Sequence, residues 1–415
     1  MAAFDDALIL DAPGALVLAL VLSLGFLAAL VSAGTEKPLR RYYGFLLAFG
    51  ATMSVAALAD NLGILWASVE ATTLASALLV GHHGTKQATE AAWKYLVLSS
   101  AGIMIAFVAT LLLVAAAIGT GEATLSAVEL GRRGHRLDRE LVRAVFVLVV
   151  IGYGTKAGLV PMHFWLADAH SQAPSPVSAL LSGVLLSCAL LAVDRVRRVA
   201  IAAGGDVPWL LLGFAALTVV VGGLLVFGAR DYKRLLAHSS VENMGLAAFA
   251  LGIGTPIAVA GAYLHIVAHG VAKALAFFSA GRIQHHTGTR EIARTKDLLR
   301  RAPVAGGGLL LGFVALAGVP LFAPFVSKVV IVSAAVRTAP WGATVPVLVG
   351  LVLAFLGFAR HAAVMFPAEG AASERFTEPW HVLAALVVLA TVTVALGIGA
   401  FAIIGGPLAA AGGGP

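Results

Sequence analysis

One cysteine, Cys188, in 415 residues excludes a disulfide within the chain. It equally excludes an iron-sulfur cluster or a multi-cysteine zinc site built by this chain alone. Charge is scarce too: 12% of the residues are Asp, Glu, Lys or Arg, against 60% hydrophobic, and the mean hydropathy is +0.95. The polar coat of a soluble domain cannot be assembled from that stock, so the chain belongs in a bilayer. Basic residues are scarce at the opening as well, where a secretory signal would have them. The opening MAAFDDALIL is acidic and no small-residue cleavage pattern follows, so the first apolar run is expected to remain as a helix. The net charge of +7 and pI near 9.8 would suggest nucleic acid for a soluble protein. Here the positions of the positive residues decide, and they describe membrane topology; no nucleic-acid partner is expected.

Apolar runs suited to a bilayer lie near Ala15–Ala33, Tyr43–Leu58, Leu62–Val80, Ala92–Ile118, Ala144–Ala169 and Val177–Val193. They continue near Trp209–Phe227, Leu235–Ile253, Ile257–Ile283, Val304–Ala335, Val345–Phe366 and Val382–Ile404. These runs are too long and continuous for the alternating strands of a barrel, so the expected fold is an all-α polytopic membrane protein of about twelve transmembrane helices. Threaded that way, one face of loops, Lys37 and Arg375 included, holds sixteen Lys and Arg and the other nine, leaving three of the 28 inside spans. The richer face is expected to be cytoplasmic in a multi-pass cell-membrane protein with both termini outside.

The three remaining cations are Lys156, Lys273 and Lys328, joined by one acid deep in a span, Glu70. A charge at the centre of a helix costs about 2.5–3.5 kcal/mol on insertion scales, so four of them need partners or water. Structural pairs tying helices together would do that, but an amide or serine fastens helices at less cost. The functional reading is a line of titratable sites. Lys156 precedes a break at Pro161, and Lys328 follows GVPLFAPF, in which Gly318, Pro320 and Pro324 interrupt a long run. Breaks free backbone groups that could supply a polar niche for each lysine. Interrupted segments in corresponding places of two halves point to an internally repeated transporter, with halves at 43–199 and 207–366, a helix at 15–33 before them and one at 382–404 after, all in one membrane domain, 1–415.

Between the breaks, His265, His269 and Lys273 in AYLHIVAHGVAKALAFF are spaced i, i+4, i+8, a polar stripe spread over roughly 12 Å of one helix face. Histidine can take a proton on one ring nitrogen and release one from the other. HIVAH also has the two-histidine spacing of a zinc helix, but Ile266 stands where a metalloprotease needs glutamate. A pair of hydrogen-bonded core histidines is the plainer alternative. His238 and Glu242, one turn apart beside Lys233 and Arg234, read equally as a proton intake or an interfacial ion pair. Asp168 and His170 follow the first break and can cap its ends. Asp60, Glu90 and Asp194, near span ends, are expected to be solvated, and GGPLAAAGGGP reads as a disordered tail.

WASVEATTLASALLV, EAAWKYLVLSSAGI, KAGLVPMHFWLADAHSQAPSPVSALLSGVLL, HSSVENMGL and HIVAHGVAKALAFFSAG resemble the antiporter-like membrane subunits of respiratory complex I, the group 4 membrane-bound hydrogenases and Mrp antiporters. VEATTLASALL, SALLSGVLL and SSVENMG are most similar to hydrogenase component F. The resemblance implies two inverted five-helix repeats, each with a discontinuous helix. It implies a proton-translocating subunit of a redox-linked complex, with Glu70 and Lys156 as the first pair and His265, His269, Lys273 and Lys328 as the rest of the path. Ser182 and Ser187 stand where relatives often bear lysine or histidine, so water would have to bridge there. Lys328 stands where component F usually has glutamate. The chain would lack about two initial helices of the family core and a long lateral helix.

The expected path therefore runs from Lys156 through Ser182, Ser187 and water to His265, His269 and Lys273, leaving by Lys328. No cofactor is expected in this chain; iron-sulfur or metal centres would belong to partner subunits, membrane and peripheral, of a multi-subunit complex. The rival readings are a membrane metalloprotease built on HIVAH, a scaffold whose route is dead at Ser182 and Ser187, and a proton/sodium antiporter or proton-coupled inorganic-carbon uptake subunit.

Overall fold

The computed structural model describes residues 2–3, 7–33, 36, 38–121, 124–367 and 375–411, with side chains described from residue 7 to residue 400. Lys37, most of the acidic opening and residues 412–415 lie outside the described residues. After two antiparallel strands of two residues each, β1 (Ala2–Ala3) and β2 (Leu8–Ile9), the described elements are helical. In order come α1 (Ala12–Val31), α2 (Leu39–Leu58), α3 (Leu62–Val80), α4 (Lys86–Ile118), α5 (Ala127–Arg132), α6 (Arg139–Ala157), α7 (Phe164–Gln172), α8 (Ser175–Leu180) and α9 (Leu186–Ala202). There follow α10 (Pro208–Phe227), α11 (Tyr232–Ile253), α12 (Pro256–Thr287), α13 (Leu298–Arg301), α14 (Pro303–Ala317), α15 (Ala323–Thr338), α16 (Trp341–Met365) and α17 (Trp380–Ala411). A π turn over Leu181–Leu185 joins α8 to α9, making one long span. The segment from Gly405 read as a tail continues α17 as far as Ala411.

Short polar side chains set many of the starts by accepting from amides that the helix leaves unpaired. Asp11 accepts from Gly14 N (2.9 Å), Asn61 from Gly63 N (2.9 Å), Asp138 from Leu141 N (2.7 Å) and Asp231 from Lys233 N (2.7 Å). Eight helices among the described residues are long and apolar enough to cross a membrane, and large apolar side chains such as Phe26, Leu47, Trp209 and Trp380 face outward. Helix α11 is not one of the eight. Lys233, His238, Ser239, Ser240, Glu242 and Asn243 dilute its hydropathy, yet most of it is buried, because it packs between α10 and α12. Helix α12 is the hub: it touches α1, α8, α11, α14, α15 and α17.

The runs expected at Ala144–Ala169 and Val304–Ala335 are each two helices. Helix α6 ends at Gly158 (φ 79°) and α14 at Gly318 (φ 84°), left-handed positions that cost a Cβ-bearing residue. The first break is satisfied locally: Leu159 N donates to Gly154 O (2.9 Å), the Trp165 indole to Thr155 O (2.9 Å), and Val160 N to Thr218 Oγ1 (2.9 Å). None of these groups serves Lys156. The second break does serve its lysine, since Lys328 Nζ donates to Leu316 O (3.0 Å), a carbonyl freed at the end of α14.

Two acids expected in solvent are buried. Asp60, 3% exposed, accepts from Ser126 Oγ and Val128 N. Asp194, fully buried, accepts from Arg197 (2.8 Å), Arg198 (2.7 Å) and the Tyr263 hydroxyl (2.8 Å). It ties α9 to α12. Glu90 stays exposed, paired with Lys94 at 2.6 Å. Because removing one partner strands the others' charge, Asp194→Ala is expected to cost about 3 kcal/mol of stability. A melting temperature in detergent equal to the wild type's would show that the cluster carries no load.

Candidate functional site

Glu70 on α3 is half-buried and accepts from Ser100 Oγ (2.6 Å) and, more weakly, Thr73 Oγ1 (3.4 Å). Lys156, in the last turn of α6, is completely buried, and its ammonium donates to Thr73 Oγ1 (2.7 Å) and the Tyr95 hydroxyl (2.6 Å). Glu70 and Lys156 do not touch as an ion pair; the Thr73 hydroxyl stands between them. The niche of this lysine comes from α3 and α4 rather than from the Pro161 break. Tyr95 is held in turn by Ser76 Oγ (2.7 Å), and the Tyr95 ring centre lies 4.6 Å from the ammonium.

His170, read as a cap, is buried deep on α7. Its Nδ1 meets Leu166 O (2.8 Å), while Nε2 has no hydrogen-bond partner among the described residues. Its ring lies 6.2 Å from Trp165, which also lies 6.0 Å from the Lys156 ammonium, and 5.9 Å from Phe277, which lies 5.9 Å from the Lys273 ammonium. His170 thus sits between the two lysines. Asp168 points away to the surface, paired with Arg234 (2.6 Å) and Lys94 (3.6 Å).

Lys273, fully buried on α12, donates to Leu236 O and Ser239 Oγ of α11. Ser182, in the π turn, hydrogen-bonds Ser240 Oγ (2.6 Å), whose hydroxyl reaches the same Leu236 carbonyl (3.1 Å). Ser182 is therefore joined to the line through α11. Ser187 is not; its hydroxyl returns to Gly183 O (3.3 Å) in its own helix. His265 and His269 are buried with rings stacked 6.3 Å apart. His265 Nδ1 meets Ser327 Oγ (2.8 Å), whereas His265 Nε2 and both nitrogens of His269 lack partners among the described residues. They are not hydrogen-bonded to each other, and among the described residues no group of three or more potential metal ligands forms around them.

Glu242 changes place in the argument. It is fully buried and pairs with Lys328 (3.3 Å), not with His238; Asn243 donates to its other oxygen. His238, one turn away, is half-buried, and Lys233 and Arg234 point elsewhere, to Ala173 O (2.8 Å) and Asp168. A signal for Glu242 lay in the sequence: Ser68-Val69-Glu70 on α3 recurs as Ser240-Val241-Glu242 on α11, and each glutamate is linked to the lysine of a broken helix. Gly222 on α10 permits this placement, because a Cβ there would stand 2.5 Å from Glu242 N. Gly222→Leu is expected to push α11 aside, lowering stability by about 1–3 kcal/mol as an overpacked contact. The checks are the melting temperature and, in a solved variant structure, a Glu242–Lys328 distance beyond ion-pair range; an unmoved pair would contradict this account.

Residues 59–357 match the transmembrane family described as NADH:quinone oxidoreductase/Mrp antiporter. The chain belongs to that family. It is 37% identical over 326 residues to the hydrogenase-4 component F homolog of Methylacidiphilum infernorum, covering 76% of this chain and 68% of that one. It is 29% identical over 331 residues to hydrogenase-4 component B of Escherichia coli, covering 74% of this chain but only 48% of the relative. In three dimensions a chain of the membrane-bound sulfane sulfur reductase, an archaeal respiratory membrane complex, superposes with a TM-score of 0.85 at 26% identity, covering 93% of this chain and 78% of that one. The family is one of membrane subunits, and the buried ionisable residues above lie on its antiporter-like scaffold.

Proposed function

We propose that this protein is a proton-translocating subunit of a redox-linked membrane complex of hydrogenase or complex I type. The observation that carries the reading is the row of buried ionisable groups at mid-bundle: Lys156, His170, Lys273, His269, His265 and the Glu242–Lys328 pair, with Glu70 at its flank. Cations and acids of this kind are too costly in lipid to be kept without partners, and ring nitrogens left open invite water and protons. In this reading helices α2–α9 and α10–α16 are the two inverted repeats of a twelve-span bundle. The Lys- and Arg-rich loops face the cytoplasm, both termini lie outside, and electron carriers belong to partner subunits.

The first step centres on Thr73. With one hydroxyl between them, Glu70 and Lys156 attract by about 3 kcal/mol at roughly 6 Å and an effective dielectric of 20. A partner's movement that draws Glu70 away removes the attraction that holds the proton on Lys156. The proton passes by water to the open Nε2 of His170 and on to Lys273. From there His269, His265 and the Glu242–Lys328 pair carry it toward release, each transfer giving up one proton as the next is accepted. Ser182 supports Lys273 through Ser240 rather than relaying from Lys156.

The test is the isolated complex in sodium-free proteoliposomes, driven by its electron donor and followed with a pH-sensitive dye. Uncoupler-sensitive proton movement is expected. Electron transfer with no proton movement, or movement only when sodium is restored, would favour the proton/sodium antiporter reading instead.

A further inference from the structure

A cavity of about 790 Å3 lies where the last turns of α1 and α12, the α7–α8 connection and the first turns of α11 and α17 converge. That volume falls in the range of small-molecule sites. Its lining includes three cations, Lys233, Arg282 and Arg290, against one acid, Glu36. Arg282 is offset by Glu378 (2.5 Å) and Arg290 by Asp231 (3.4 Å), both in ion pairs. Lys233 has no ion pair among the described residues; the charges of Asp231 and Glu36 reach its ammonium only from beyond contact distance. It is 2% exposed, and the one hydrogen bond of its ammonium among the described residues runs to Ala173 O (2.8 Å), so two of its three donors have no protein acceptor there.

A buried ammonium held by a single carbonyl is costly unless something anionic joins it. Glu36 does not supply that anion: no ion pair joins it to Lys233 among the described residues, although the two charges attract each other across the cavity. The same acid stands 3.6 Å from His82. The guanidinium groups of Arg282 and Arg290, each already fixed by a carboxylate, add planar donors suited to phosphate oxygens. Beside the cavity, between its lining residues Pro379 and His381, Trp380 is 77% exposed, an aromatic of the sort that marks headgroup depth in a bilayer.

We propose that this cavity binds a phosphate-bearing anion, with Lys233 as the principal contact and Arg282 and Arg290 as the flanking ones. The anion is either the headgroup of an acidic phospholipid or free phosphate. The inference goes beyond the transport reading and stands without it.

The full-length protein, in its complex where it extracts as one, is followed by thermal unfolding in neutral detergent. Phosphatidylglycerol micelles, phosphatidylcholine micelles and inorganic phosphate at constant ionic strength are titrated separately. A saturable rise in Tm with phosphatidylglycerol but not phosphatidylcholine assigns a lipid; a rise with inorganic phosphate assigns the soluble anion. In either case Lys233→Met weakens the apparent affinity at least tenfold. No saturable rise, an equal rise with phosphatidylcholine, or an unchanged affinity in Lys233→Met overturns the proposal. Should Lys233→Met fail to fold, Glu36→Gln decides: removing the one acid must tighten binding, and unchanged or weaker binding refutes the site.

Discussion

Replacing Lys156 with alanine is expected to abolish proton translocation while leaving the complex assembled. The fold should survive because the truncation strands no full charge in a dry place: Glu70 is half-buried and keeps Ser100, and Tyr95 keeps Ser76. The Thr73 and Tyr95 hydroxyls each lose a donor but keep another partner, Glu70 and Ser76, so each lost hydrogen bond costs about 0.5–1.5 kcal/mol. Lys156→Arg sharpens the test. A guanidinium keeps the positive charge beside Thr73 but does not release its proton under physiological conditions. If the lysine merely ties α6 to α3 and α4, arginine should pump; if it hands on a proton, arginine should fail like alanine. Proton uptake per electron in proteoliposomes decides, with the stoichiometry of the purified complex as the control for assembly. Wild-type pumping in either variant would sink the assigned role of Lys156.

The second large effect is expected at Glu242 and Lys328. Each is buried and each compensates the other at 3.3 Å, so removing one leaves an unpaired charge in the bundle. Glu242→Ala and Lys328→Ala are each expected to lose about 3–5 kcal/mol. The double variant Glu242→Gln/Lys328→Met, which leaves no charge behind, should lose much less than the two single losses together. Unfolding in detergent measures the difference through a double-mutant cycle. Additive losses would mean that the two residues do not act as a pair, and the release end of the proposed path would have to be redrawn. A stable double variant that no longer translocates protons would separate the pair's structural part from its part in transport.

Much of this site was legible in the sequence, and the misreadings have definite causes. Lys156, Lys273, Lys328 and Glu70 stand out because charge is so rare in the chain, and His265 and His269 because helical periodicity puts them on the face of Lys273. Both breaks are marked by glycine and proline, and both helices end at the glycine. Glu242 reads as a neighbour of His238 because the two are one turn apart, but i, i+4 spacing brings side chains to the same face without pairing them, and its partner is Lys328, 86 residues away. His170 and Asp194 look like residues at helix ends. His170 is buried because α4 and α11 pack against α7, and Asp194 because α12 brings Tyr263 onto α9, and nothing local in the sequence reports such a neighbour.

What the sequence determined by itself is the solvent, the secondary structure and the inventory: an apolar chain that must form helices in lipid, two places where helices stop, and a handful of ionisable residues too costly to be accidental. Only the tertiary structure decided which of them meet. It put Thr73 between Glu70 and Lys156, turned Ser187 out of the line, and brought Glu242 onto Lys328. The reason is geometric. Periodicity fixes the angle of a side chain about its own helix axis, whereas a hydrogen bond between helices also needs their relative rotation, depth and closest approach, and those are set by packing contacts such as Gly222 against α11.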